Sequence, residues 1–257
     1  MILTDLDWSL ILPALAAGIL VLTTHVPLGQ EVLKRGIIFI DLAIAQMAAL
    51  GVMAATILLG DVHGLWLQVI AAGSALGASV LVLWLEKRYP HVVEALIGLL
   101  FILAASGGIL LVSHAPHSDE LLHDLLVGQI LWVTTEQLLW VAGLYLLLLT
   151  VWFGLGQNRS WLFYLVFSLA VTASVQLVGV YLVFASLILP ALASRTLADS
   201  GSRLFTGYLV GLLGYISGLM MALMLDVPMG AMTVWTLFAV VLISKPFIGW
   251  ARHGKIC

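Results

Sequence analysis

The chain has 257 residues, of which 63% are hydrophobic and only 9% are charged, and its formal net charge is −3. Its mean hydropathy of +1.17 excludes an ordinary soluble protein, and it lacks the short alternating segments of an outer-membrane barrel. Apolar runs of about 20 residues, the length that crosses a bilayer, recur from end to end. The composition predicts an all-α integral membrane protein with a single transmembrane domain, 1–257.

These runs predict a polytopic bundle of about eight or nine transmembrane helices. The approximate spans are 8–25, 36–60, 65–85, 92–113, 136–155, 160–177, 179–194, 205–225 and 230–250. Because no Lys or Arg precedes Lys34, the first run lacks the positive segment of a signal peptide and is interpreted as a permanent span. Residues 160–194 fit two crossings only with a very tight turn near Gln176 and Gly179. A broken or re-entrant segment is the alternative.

The positive charges predict the orientation of the spans. If the chain crosses nine times, all ten lysines and arginines fall on one side of the membrane. They are Lys34, Arg35, Lys87, Arg88, Arg159, Arg195, Arg203, Lys245, Arg252 and Lys255. The positive-inside rule makes this side cytoplasmic, with the N-terminus outside a bacterial inner membrane and the C-terminus inside. The outer side keeps acidic residues and four of the seven histidines, a surface that would attract cations.

The segment SHAPHSDELLHD (113–124) on the outer side is the densest group of ligand-type side chains. Its candidate metal ligands are His114, His117, Glu120, His123 and Asp124, since imidazole and carboxylate groups both bind zinc. If a helix begins after Pro116, His117, Glu120 and Asp124 share one face. Alternatively, Ser118 is an N-cap and the acidic residues after it only complete a helix start.

Two carboxylates are predicted at the inner ends of spans. Asp41 is expected five residues into the second span, where exposure to lipid would cost about 3 kcal/mol or more. It is a candidate pathway residue, and a structural pairing with Lys34, Arg35 or nearby backbone is the alternative. Glu94 opens the fourth span, where a carboxylate also favours the helix dipole.

Glycines recur at helix-packing spacing in two places. One set is Gly73 and Gly77, and the other is Gly207, Gly211, Gly214 and Gly218. Small residues at this spacing let two helices approach closely. For both sets the interpretation is packing within the subunit.

Motifs of several enzyme classes are missing from the sequence. It has no GxxxxGK[ST] phosphate loop, no HExxH and no CxxCH. No convincing nucleophile–base pair is present, and the one cysteine, Cys257, excludes an intrachain disulfide. The chain is therefore not expected to be an enzyme or to hydrolyse ATP alone.

Four segments in chain order resemble one known family. PLGQEVLKRGIIFIDLAIAQMAALG (27–51) comes first, WLEKR (84–88) with EALIG (94–98) second, VQLVGVYLVFASLILPALASR (175–195) third and DVPMG (226–230) last. Together they resemble motifs of the metal-type ABC transporter permeases, the ABC-3 family. These segments are collinear and extend over most of the chain.

The resemblance implies the membrane subunit of an ATP-driven importer for a divalent metal, with zinc the first candidate and manganese or iron as alternatives. Two copies would form the path, a cytoplasmic ATPase would bind inside, and a periplasmic metal-binding protein would dock outside. Metal would cross by alternating access. We expect no permanently bound cofactor and no nucleic-acid partner, with membrane lipid around the subunit.

The sequence departs from the family pattern in three places. Asp41 matches the family's intramembrane aspartate, but Ala45 stands where the family has histidine. Gln129 replaces an outer aspartate, and the cytoplasmic segment that usually couples to the ATPase is missing at GQNRSW (156–161). The loop 193–205 is then the candidate ATPase contact. Its charged residues are Arg195, Asp199 and Arg203. These departures leave open an ATP-independent metal channel, or a non-transporting structural or regulatory membrane protein of the same fold.

Overall fold

A computed structural model describes residues 8–59, 64–112, 130, 133–155 and 159–253. Nine α-helices form nearly all of this part of the chain, which confirms the all-α prediction. They are α1 (Trp8–Arg35), α2 (Ile40–Leu59), α3 (Leu65–Arg88), α4 (Val93–Val112), α5 (Thr135–Leu155), α6 (Ser160–Val178), α7 (Val180–Ser194), α8 (Ser200–Leu225) and α9 (Met229–His253). Six are long and apolar enough to cross a membrane, and α4, α7 and α9 contain shorter apolar stretches. The chain is therefore a multi-pass membrane protein.

Helix α1 is longer than predicted, because it continues ten residues past position 25 to Arg35. Pro27 lies inside it and cannot donate the hydrogen bond that the carbonyl of Thr23 would normally accept. The hydroxyl of Tyr208 donates to that carbonyl instead, at 3.1 Å. A contact from another helix thus satisfies the backbone group that proline leaves without its helical partner.

At the predicted tight turn near Gly179, a single non-helical residue separates two helices. Helix α6 ends at Val178 and α7 begins at Val180. Gly179 has φ +82°, a conformation that glycine adopts without the steric cost of a side chain. With 15 residues, α7 is about 22 Å long, shorter than the hydrocarbon core of roughly 30 Å.

The chain divides into two compact units. The first contains α1, α7, α8, α9 and α5 up to Tyr145. Within it α8 packs on α1, α7 and α9, and its glycines make close approaches. A Cβ atom on Gly211 would lie 2.6 Å from Cδ2 of Leu22, and one on Gly218 would lie 2.5 Å from the Cα of Thr233. The predicted packing role of the α8 glycines is confirmed.

The second unit contains α2, α3, α4, α5 from Leu146 onward and α6 as far as Gln176. Helix α2 packs on both α3 and α4, and buried rings of Trp152, Phe163 and Phe167 join α5 to α6. The prediction for Gly73 and Gly77 is wrong in the described residues. Both are exposed, and a Cβ atom on either would meet no described atom within 4 Å.

Candidate functional site

The site begins where the chain enters α2. Gly36 has φ +70°, and this left-handed turn separates α1 from α2. The N–H of Ile40 then donates to the carbonyl of Ile37 at 3.3 Å. Asp41 is the second residue of α2. It therefore lies in the first helical turn, and the prediction that it lies five residues into a span is corrected.

Asp41 is buried, with 1% of its surface exposed. Neither carboxylate oxygen has a hydrogen-bond partner among the described residues. The N–H groups of Asp41 and Leu42 lie near the carboxylate, as expected at a helix N-terminus, but they do not meet the distances and angles of a hydrogen bond to it in the described structure. A buried carboxylate without a partner is costly, so this position favours a role beyond packing.

Lys34 and Arg35 form ion pairs with Glu31 and not with Asp41, so the alternative of a structural ion pair to Asp41 is wrong. Nζ of Lys34 lies 3.5 Å from Glu31, and Nε of Arg35 lies 2.9 Å from it. Glu31 thus pairs with both basic groups at the end of α1. The described part of the chain contains no ion pair to Asp41.

Glu94 is the second carboxylate of the site. As the second residue of α4, it lies where it was predicted, and its Oε1 accepts a hydrogen bond from the N–H of Phe39 at 3.1 Å. Its other oxygen, Oε2, is buried without a hydrogen-bond partner in the described chain. Because Phe39 lies two residues before Asp41, its hydrogen bond to Glu94 brings the starts of α2 and α4 together, and with them the two carboxylates that sequence analysis selected separately.

The pair offers three buried carboxylate oxygens without hydrogen bonds to any described residue, namely both of Asp41 and Oε2 of Glu94. Hard divalent cations prefer such oxygens, and a cation would offset the cost of burying two like charges. Ala45 and Ala48, on the same side of α2, are buried and small, so position 45 supplies no imidazole. No group of three or more His, Cys, Asp or Glu residues that could hold a metal occurs in the described ranges. The carboxylates therefore form a partial ligand set.

The candidate ATPase contact is a short loop between α7 and α8. Arg195 and Asp199 are exposed, and Oδ2 of Asp199 accepts a hydrogen bond from the N–H of Ser202 at 2.7 Å. Asp199 is thus the N-cap of α8, which begins five residues earlier than the predicted span. Nε of Arg203 is buried without a hydrogen-bond partner in the described chain.

The outer cluster lies outside the described residues. This applies to His114, His117, Glu120, His123 and Asp124, and also to Gln129. Their proposed metal binding stays a prediction. Sequence reasoning also gave no role to His25, a fully buried residue of α1; the signal that it offered was an ionisable side chain within an apolar run.

The comparisons with known proteins agree with this architecture. The model of the ABC 3 transport family matches residues 7–158 and 154–247. A protein of Chlamydia muridarum (strain MoPn / Nigg) named "Probable metal transport system membrane protein" is 28% identical over 211 residues, which cover 70% of this chain and 72% of the relative.

Two solved structures share the fold. PsaBC from Streptococcus pneumoniae, in complex with Fab, superposes with a TM-score of 0.74 at 24% identity, covering 93% of this chain and 91% of that chain. A protein described as a metal-chelate type ABC transporter, in an inward-facing conformation, gives a TM-score of 0.67 at 21% identity and covers 90% and 85%. The family match extends over most of the sequence. The chain therefore belongs to the ABC 3 transport family, the metal-type ABC permeases that its motifs resemble, as a non-catalytic membrane component.

Proposed function

We propose that the chain is the permease subunit of an ATP-driven importer for a divalent metal, with zinc as the first candidate. The observation that carries the proposal is the pair of carboxylates Asp41 and Glu94, which has three buried oxygens without hydrogen bonds to the described residues, a set that suits a divalent cation. The relative with the name of a metal transport protein supports the same substrate class. In this proposal the metal contacts Asp41 and Glu94 during transit and does not stay bound.

The assembly that we propose follows the family. Two copies of the chain lie in a bacterial inner membrane with the C-terminus in the cytoplasm, where an ATPase binds at Arg195, Asp199 and Arg203. A periplasmic metal-binding protein docks on the outer side and releases metal near segment 113–124. The exposed position of Arg195 between α7 and α8 is compatible with such a contact.

Asp41→Asn tests the proposal, because it keeps the size of the side chain and removes its charge. Uptake of radioactive Zn²⁺ would be measured in vesicles that contain the permease with its ATPase. We expect the initial rate at limiting metal to fall about tenfold or more, the order seen when a metal site loses one polar partner. An unchanged rate at normal expression would remove Asp41 from the pathway.

Asp226→Asn is the matched control for the loss of one negative charge. Asp226 is exposed and ends α8 with φ +53°, a conformation that asparagine tolerates. It should transport at the wild-type rate. If both variants lose uptake equally, the effect of Asp41→Asn is not specific to the buried carboxylate.

An ATP-independent metal channel is the second candidate. Only four positions, 156–159, separate α5 from α6, where the family usually carries its ATPase-coupling segment. Co-purification and ATP dependence separate the two candidates. An importer retains the ATPase during purification and stops without ATP, whereas a channel transports in its absence. A chain that moves no metal in either condition would be a structural or regulatory subunit.

A further inference from the structure

His25 lies within the membrane-spanning part of α1, about 15 Å along the helix axis from Arg35 at roughly 1.5 Å per residue. None of its surface is exposed. Of the neighbouring side chains of α1 that are also buried, Val21, Val26 and Leu28 are apolar and Thr24 is polar. An imidazole at this depth needs a specific explanation, because an aliphatic side chain could fill the space without burying polar atoms.

The hydrogen bonds of His25 fix its tautomer. Nδ1 lies 3.0 Å from the carbonyl oxygen of Val21 and 3.1 Å from the hydroxyl oxygen of Thr24. A carbonyl oxygen can only accept, so we assign the ring proton to Nδ1. The Thr24 hydroxyl can donate to the same carbonyl, from which it lies 3.2 Å. Nε2 is therefore the nitrogen with the free electron pair.

Nε2 is buried and has no hydrogen-bond partner among the described residues. This arrangement matches that of histidines that bind metals, which hold one ring nitrogen by an N–H bond to a carbonyl group and present the other to the metal. A histidine that served only packing would leave its acceptor unsatisfied at a cost in stability. The unused electron pair of Nε2 therefore indicates that a cation binds there for a time and then leaves.

We propose that Nε2 of His25 is a ligand for the transported divalent cation during its passage, and that it favours a cation with affinity for imidazole, such as Zn²⁺. This inference rests on the proposed transport function. It gives the chain an intramembrane imidazole although position 45 is alanine. Mn²⁺, which prefers oxygen ligands, depends less on such a nitrogen.

His25→Leu is the main test, because leucine replaces the imidazole with an apolar side chain in an apolar setting. Initial uptake of Zn²⁺ and of Mn²⁺ would be measured against metal concentration in vesicles that hold the permease with its ATPase. We expect KM for Zn²⁺ to rise about tenfold or more, with a clearly smaller change for Mn²⁺. Thr24→Val keeps the imidazole and removes the neighbouring hydroxyl, and should transport both metals normally.

A second pair of variants covers the case in which His25→Leu does not fold. His25→Cys and His25→Ser are similar in size, but only the thiolate is a good zinc ligand. We expect the Cys variant to transport Zn²⁺ better than the Ser variant. Equal Zn²⁺ uptake by the two would overturn the inference.

The two proposals fail in different ways. A wild-type transporter that moves neither cation overturns the proposed function and this inference with it. A wild-type transporter that moves Zn²⁺ while His25→Leu matches it overturns this inference alone and leaves the import function standing.

Discussion

Two glycine-bearing helix faces, one on α8 and one on α3, share the same spacing in sequence and have opposite surroundings. On α8, Gly214 and Gly218 lie against α9 so closely that a Cβ atom would meet Leu237 or Thr233. On α3, Gly73 and Gly77 face open space in the described chain. The spacing predicts a face that can allow close packing, but whether a helix occupies that face depends on the rest of the fold.

The close contact on α8 also makes polar contacts possible. The hydroxyl of Thr236 donates to the carbonyl of Gly214 at 2.8 Å, and Tyr208 reaches the carbonyl of Thr23 on α1. Such hydrogen bonds form only when two backbones approach closely, which small residues permit. On α3, by contrast, large side chains such as Val80 and Trp84 are exposed in the described structure. The same glycine spacing therefore supports helix packing on α8 alone.

Gly218→Ala should produce the largest loss of stability among these variants. The new methyl group would lie 2.5 Å from the Cα of Thr233 and 2.6 Å from its Oγ1, so α8 and α9 would have to move apart. We expect the free energy of unfolding to fall by about 1–3 kcal/mol. Each kcal/mol lowers Tm by roughly 2–4 °C for a chain of this size. Thermal unfolding of the purified protein in detergent measures it. An unchanged Tm would mean that the two helices do not pack as described.

Tyr208→Phe should produce an intermediate effect. It removes the donor that satisfies the Thr23 carbonyl opposite Pro27 and leaves the aromatic ring in place. We expect the free energy of unfolding to fall by about 0.5–1.5 kcal/mol, measured by the same thermal unfolding experiment. Tyr181→Phe, at an exposed tyrosine of α7, serves as the control. Equal shifts in both variants would argue against a special role for the Tyr208 hydroxyl.

Gly73→Ala should produce the smallest effect, and it makes the same chemical change as Gly218→Ala. No atom of the described structure lies within 4 Å of the added methyl group, so we expect a change in stability within about 0.5 kcal/mol. A large loss in Tm would show that the α3 face contacts a partner, such as a second copy of the chain. Analytical size exclusion at several protein concentrations would then identify a change in oligomeric state.

Much of the fold is predictable because the length of an apolar run and the residues that end a helix are local properties of the sequence. The spans near α2 to α9 agree with the predicted runs, and Gly179 was identified as the place where the segment 160–194 turns or breaks. The end of α1 was missed because Pro27 and the polar residues after it are typical of a loop. Their helical conformation depends on tertiary contacts such as the one from Tyr208.

The candidate site was predicted in part. Asp41 and Glu94 were selected one at a time, each as a carboxylate at the start of a span. Their pairing was not predicted, because it depends on how α2 packs on α4. His25 was missed since a single histidine in an apolar run gives no information about which ring nitrogen is satisfied. The alternative in which Asp41 pairs with Lys34 or Arg35 could not be excluded until Glu31 was seen to pair with both.

The sequence by itself determined the membrane class of this protein, its helical content and its family, because these follow from apolar run length and from motifs in chain order. The tertiary structure alone decided which glycines pack, which carboxylates meet and which imidazole nitrogen stays free. The physical reason is that burial and hydrogen bonding are properties of neighbours distant in sequence. A residue at a given helical position can face lipid, protein or a passing ion, and only packing selects among them.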